Sequence, residues 1–309
     1  MPTHEIAAFY RFHRISNPPA MRERLHSICL AAEATGILLV ADEGINGTIA
    51  VKVGGMAALI EAIRQTVGLS ELTPRLSFDD EMPFLRLKVR LKKEIVTIAA
   101  PEADPTQRVG TYVKPEDWNA LITDPEVLVI DTRNDYEVKI GTFQGAIDPN
   151  TRNFSDFPGY VASHLDPAQH KKIAMFCTGG IRCEKASSYM LAHGFKEVFH
   201  LQGGILNYLE SIPQEESLWQ GGCFVFDRRV AVGTGLEPLD LDLCYGCRTP
   251  LADADRASPD FEKGVTCPHC APLMTPAQKA SSRERHRQTL LAEARGETHI
   301  GPRQIKGEP

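Results

Sequence analysis

Three patterns in the sequence predict an α/β protein. The first hundred residues run β-α-β-β-α-β, helices and strands alternate from Pro115 onward, and two Cys-x2-Cys pairs lie near the C-terminus. The first is the order of a ferredoxin-like split βαβ domain. The second predicts a parallel sheet with helices on both faces. The third predicts a small zinc-ribbon-like segment. A chain of 309 residues fits two domains. The expected division is residues 1–98, a linker over 99–114, a second domain over 115–218 and a cysteine-rich segment with a basic tail over 219–309.

The elements follow in order. Residues 5–12 form a β-rich run. Met21, Leu25, Ile28, Cys29 and Ala32 have helical spacing, which predicts a helix over 18–34 stopped by Gly36. A buried strand over 37–41 leads to Asn46-Gly47, a hairpin signal because both residues tolerate positive φ. The returning strand spans 48–53, a second helix 56–67, and the strictly alternating stretch 84–91 closes the domain. Pro101, Pro105 and Gly110 mark the linker. Beyond it, strands are expected over 127–130, 173–176 and 197–201, with helices over 116–122, 182–193 and 204–209. A β-rich run follows over 223–232. Residues 275–295 have weak helical spacing, and a loose tail begins at 296.

Composition excludes several classes. Hydrophobic residues make up 42% and charged residues 24%, as in soluble globular proteins. The longest apolar runs fall far short of the ~20 residues of a membrane span. The N-terminus lacks a signal-peptide pattern. The expected location is therefore the reducing cytoplasm, where eight sparse cysteines serve as free thiols or metal ligands rather than as a disulfide framework. The net charge of −6 excludes a polycation that coats nucleic acid. It is unevenly spread: residues 101–218 carry −7, the first hundred +1, and the rest zero.

Cys177-Thr178-Gly179-Gly180-Ile181-Arg182 follows an apolar strand and opens a helix. Backbone N–H groups and the positive helix end favour a thiolate at Cys177, with Thr178, Gly179, Gly180 and Ile181 forming the loop backbone. Arg182 adds a fixed positive charge, so Cys177 is a candidate nucleophile. Cys183, six residues on, has two open readings: a thiol that resolves an oxidised Cys177, or a packed helix residue. His193 and His200 read as structural.

Cys244, Cys247, Cys267 and Cys270 have the spacing of two zinc knuckles, which predicts a closed, structural Zn²⁺ site. Cys29 and Cys223 read as core. Arg86, Lys88, Arg90 and Lys92 alternate with Leu85, Leu87, Val89 and Leu91. Strand geometry puts the four cations on one face, as an RNA phosphate track or as a solvated outer face. Arg283, Arg285 and Arg287 offer a second basic patch. Asp42, Glu43 and Asn46 read mainly as hairpin residues.

Asp131-Thr132-Arg133, Asp135 to Glu137, Gly141 to Ala146 and Cys177 to Arg182 resemble the motifs of the rhodanese superfamily. Cys-x4-Arg is one residue shorter than the phosphate-ringing loop of phosphatases with the same architecture. Residues 41–48, 88–98, 130–137, 176–185 and 266–270 together resemble the bacterial tRNA uridine hydroxylase family TrhO. That resemblance implies an acylphosphatase-like first domain and a rhodanese second domain. It also implies oxygen-dependent formation of 5-hydroxyuridine at the wobble position of tRNA, with molecular oxygen as co-substrate, tRNA as partner and no DNA. Cys177 takes the place of the family's essential cysteine. Arg182 would stabilise its thiolate or a bound anion, and Asp131 and Arg133 would shape the loop. A Cys177 persulfide acting in sulfur transfer is the alternative chemistry.

Overall fold

The computed structural model describes residues 2–226, 229–247, 249–251 and 253–295. The expected tail from 296 lies outside the described residues. In the first domain β1 (His4–Phe12), α1 (Pro18–Ala31), β2 (Thr35–Ala41), β3 (Gly44–Lys52), α2 (Met56–Val67), β4 (Arg75–Asp79) and β5 (Leu87–Leu91) form one sheet of order β4-β1-β3-β2-β5. Asn17 caps α1 by accepting from the Ala20 N–H, and Pro18 fills the first helical position. α2 stops at Gly68, which takes a left-handed φ of 83°. Ala7 and Phe9, Leu38 and Val40, and Ile45, Ile49 and Val51 pack on Leu25, Cys29, Leu59 and Ile63 of the helices. Period-two alternation sends the intervening residues to the opposite, helix-free face.

Four expectations change here. α1 ends at Ala31 rather than residue 34, because the chain turns through Glu33 at φ 52°. The β2–β3 turn is Asp42-Glu43, since Ala41 pairs with Gly44. Asn46 and Gly47 lie inside β3. A Cβ at Gly47 would sit 2.7 Å from the Ile37 carbonyl oxygen, so that glycine serves a close strand approach and not a turn. The strand that completes the split βαβ unit is β4, antiparallel to β1. The basic alternating stretch supplies instead a shorter fifth strand, β5, parallel to β2 at the other edge. Of its aliphatics Val89 is buried, whereas Leu85 and Leu91 are exposed.

The second domain contains β6 (Thr111–Val113), α3 (Pro115–Ile122), β7 (Val127–Asp131), α4 (Asp135–Val138), β8 (Gly141–Phe143), α5 (Phe157–His164), β9 (Lys172–Phe176), α6 (Ile181–Ala192), β10 (Glu197–Leu201), α7 (Gly204–Ser211) and β11 (Trp219–Gly221). Its parallel sheet has order β6-β10-β9-β7. Alternate strand residues enter two cores. Ile130, Ile173 and Met175 pack with Phe157 and Val161 of α5 and Ala186 and Met190 of α6. Val129, Ala174 and Phe176 pack with Trp118 of α3 and Tyr208 of α7. Phe143 stands edge-on to Phe176, Tyr208 and Trp219, with centroids 4.7–5.1 Å away.

The stretch expected as a linker is built into this domain. Residues 111–113 are its edge strand β6, and Ile98, Ala100 and Ala103 are buried in the core that contains Cys177. Short ladders β12 (Cys223–Phe224) with β13 (Ala231–Val232) and β14 (Asp242–Leu243) with β15 (Pro250–Leu251) follow. Then come α8 (Asp253–Arg256) and α9 (Pro276–Ala294). Among the described residues no helix is long and apolar enough to cross a membrane.

The two domains are bolted together at the start of α6. Lys185, buried there, donates to Glu43 Oε1 and the Val96 carbonyl at 2.8 and 2.9 Å, and also pairs with Glu94. Its neighbour Glu184 accepts from Tyr10 Oη at 2.7 Å. Arg75–Glu210, at 2.6 Å, and Arg14–Asp104 add two more links.

Candidate active site

Cys177 follows β9 directly, and its loop ends in the first turn of α6. Gly180 takes φ 100°, a conformation that favours glycine, and this points its N–H at Cys177 Sγ, 3.1 Å away. A Cβ there would also meet Tyr10 Oη at 2.9 Å. The Ile205 and Leu206 N–H groups of α7 hold the carbonyls of Cys177 and Thr178. Burial pushes the Cys177 thiol up. The Cys183 hydrogen bond, the Arg182 charge and the N–H groups of Cys183 and Gly180 outweigh it and bring the value down to about 6. The result is a thiolate at neutral pH.

Arg182 exerts that field while its fork is already engaged. Its two Nη atoms reach the Glu137 carboxylate at 2.7 and 2.8 Å. Glu137 also accepts from Thr178 Oγ1 at 3.2 Å. Burial raises this carboxyl, and the charge and hydrogen bonds of Arg182 more than reverse that. Glu137 therefore ties α4 to the loop. It was visible in the sequence as a motif position without a role. Asp131 and Arg133 form a fully buried pair at 2.6 Å, and Arg133 also reaches the Gly141 carbonyl. They brace β7 and β8 without touching Cys177. Cys183 is fully buried, with its sulfur 3.5 Å from Thr132 Oγ1. Burial and the Cys177 sulfur hold its thiol well above the ordinary value.

Cys177 lines a cleft of about 2080 Å³, with Thr178, Gly179, Ile181, Arg182 and Glu184 beside it. This is larger than the ~300–1,000 Å³ of a small-molecule pocket. Its far wall is the helix-free face of the first sheet, including Tyr10, Ile37, Leu39 and Thr48. Register pairs Lys88 with Ile37 and Arg90 with Leu39. Both cations therefore share the cleft-facing side of the sheet, with Arg86 and Lys92 just beyond the ends of β5. None of the four lines the cleft itself. Arg283 and Arg287 on α9 are paired with Glu262 and Glu284.

Tyr10, Tyr112 and Glu184 also belong to the cleft, and no local sequence pattern marks them. Tyr10 and Glu184 are 174 positions apart. His200 is buried and pushed down to about 4, and His193 lies 3.5 Å from Glu102; both are structural. Burial lifts Cys29 to about 11 and Cys223 to about 12, as inert core thiols.

The second cysteine site is geometrically distinct. The sulfurs of Cys244, Cys247, Cys267 and Cys270 all lie within 4.8 Å of one another. Cys244–Cys270, Cys247–Cys267 and Cys267–Cys270 are 3.8, 3.6 and 3.9 Å apart. A tetrahedron with Zn–S of ~2.3 Å has edges of about 3.8 Å, so this cluster can bind a metal ion such as zinc. His269 is turned to Asp255, at 3.0 Å.

A parallel sheet ending in a Cys-x4-Arg loop defines a rhodanese-domain protein. Residues 114–211 match the rhodanese-like domain family, and residues 4–95 match the UPF0176 acylphosphatase-like domain. The two domains in this order match the architecture of the TrhO (UPF0176) family. Similar solved structures include a rhodanese-like domain from Anabaena, with 17% identity, 36% of this chain and 78% of that one covered, and a TM-score of 0.30. An As–Sb reductase from Leishmania major has 20% identity, coverage of 36% and 92%, and a TM-score of 0.28. A NAD-dependent persulfide reductase from A. fulgidus has 15% identity, coverage of 55% and 29%, and a TM-score of 0.28.

Proposed function

We propose that the protein hydroxylates the wobble uridine of tRNA to 5-hydroxyuridine, with molecular oxygen as co-substrate and Cys177 as the essential reacting group. The observation that carries this reading is the cleft. A thiolate with a value of about 6 opens onto a space too large for a thiosulfate-sized substrate and walled by a second domain. An extruded nucleotide with its neighbours suits such a space, because enzymes that act on a base take it out of the stack. Lys88 and Arg90 extend the same sheet face as a track for phosphates, since contacts to the backbone position a nucleic acid.

In this reading Cys177 supplies the nucleophilic sulfur. The Gly180 and Cys183 N–H groups stabilise its charge, Arg182 acts by its field, and Asp131, Arg133 and Glu137 keep the loop in shape. Zinc on the four C-terminal cysteines would be structural, because four thiolates leave no open position.

A deletion strain complemented with Cys177→Ser should lack 5-hydroxyuridine in its tRNA by nucleoside mass spectrometry while the variant accumulates normally. Unchanged 5-hydroxyuridine refutes the reading. A second reading, transfer of sulfane sulfur through a Cys177 persulfide, draws on the short loop. It requires thiocyanate release from thiosulfate and cyanide that Cys177→Ser abolishes.

A further inference from the structure

The cleft contains a carboxyl group that the loop motif does not explain. Glu184 sits in the first turn of α6, one residue past Cys183, and lines the cleft beside Cys177. Its side chain is held by the first domain. Tyr10 donates to Oε1 at 2.7 Å, and Tyr112 of β6 lines the same cleft. Tyr10 Oη also sits above Gly180, so this contact reaches the loop that shapes Cys177. Tyr112 is nearly half exposed and opens the cluster to the cleft.

We propose that Glu184 is the proton donor of the Cys177 cleft, held in place by Tyr10 of the first domain. When Cys177 Sγ attacks an electrophilic atom of the bound substrate, the new bond takes the sulfur lone pair. The electron pair of the breaking bond goes to the leaving atom, and that atom takes the Glu184 proton. The carboxylate left behind regains a proton from water in the cleft. No oxidant or reductant enters this step.

The surroundings of Glu184 support the assignment. Burial raises its carboxyl above the ordinary range. Tyr10, Tyr112 and Arg11 of β1 pull the other way, and the Cys177 thiolate pushes up again. Among the described residues these groups act on it most strongly. Lys185 on the same helix is turned away, to Glu43 and Glu94. The proton on Glu184 is thus held partly by the negative charge on Cys177, and removing that charge releases it.

The proposal rests on Cys177 as the reacting group and not on the identity of the substrate. Iodoacetamide reads both separately. It converts the Cys177 thiolate into a neutral thioether and expels iodide. In weakly buffered solution, titrated over roughly pH 5 to 8, the full chain should then release more protons than Glu184→Gln, by up to about one per Cys177 alkylated. Peptide mass spectrometry counts the alkylation at each cysteine. Tyr10→Phe removes a donor to the carboxylate, so it should move the release window to higher pH. Equal release from wild type and Glu184→Gln at every pH overturns the proposal. If Glu184→Gln does not fold, an unmoved window in Tyr10→Phe overturns it. Failure of Cys177 to alkylate in the wild type counts against the nucleophile instead.

Discussion

The molecule handles sulfur in two ways. At Cys177 a single sulfur is held as an anion by fixed dipoles and one nearby guanidinium, with a cleft in front of it. In the C-terminal segment four sulfurs stand at tetrahedral spacing, three of them buried. Backbone N–H groups can favour one negative charge because a curled loop aims them at one point. Four thiolates within 4.8 Å repel one another too strongly for such a loop, and only a divalent cation balances them. The comparison teaches that burial decides neither outcome. Cys177 and Cys223 are equally buried, yet one is lowered to about 6 and the other raised to about 12, because only the first has donors aimed at it.

The largest effect should come from exchanging the two sites' fates. Cys177→Ser should abolish the thiol chemistry yet leave one zinc per chain by metal analysis. Cys267→Ser should lose the metal yet keep Cys177 alkylation. Metal loss in Cys177→Ser would break the separation. A large structural effect is expected on chelation. Structural zinc contributes on the order of 10 kcal/mol to small sites, so hydrogen exchange should quicken across residues 242–271 and stay slow in β7, β9 and β10. Uniform exchange would show that the segment folds without metal.

Next is the bolt between the domains. Lys185→Met leaves the Glu43 and Glu94 carboxylates without their shared cation. Breaking a buried pair costs about 3 kcal/mol, so the melting temperature should fall by several degrees. An unchanged melt would mean that the pair contributes nothing net. The smallest effect is one of rate. Alkylation of Cys177 follows its thiolate fraction, so the rate should rise through about pH 6 and fall roughly tenfold for each unit below it. Cys29 and Cys223, raised by burial, should stay unmodified across that range. A midpoint above 8 would remove the argument for an activated thiol.

What the sequence disclosed follows from range. Helix α2 and strand β10 fall at the expected residues, because periodicity and a stopping glycine are local. The Cys177 loop was legible as six consecutive residues, and the metal cluster as two pairs of fixed spacing. Strand β4 was missed because Arg75–Asp79 is a five-residue alternation, overshadowed by the longer basic one after it. Asn46-Gly47 has the chemistry of a turn, but the register of β2 and β3 spends that glycine on backbone contact. Tyr10, Tyr112 and Lys185 acquire their roles only through partners far away in the chain, so no window of sequence displays them.

The seam at α6 bears on any attempt to dissect the chain. Glu184 and Lys185 are consecutive residues, and each has a hydrogen-bond partner in the first domain, Tyr10 and Glu43. Ile98, Ala100 and Ala103 meanwhile close the core behind Cys177. A rhodanese module cut out at residue 104 would lose the wall of its cleft, expose a hydrophobic groove and leave Lys185 without its counter-ions. The Cys177 cleft is therefore not the property of the rhodanese domain alone, because each domain supplies part of its wall.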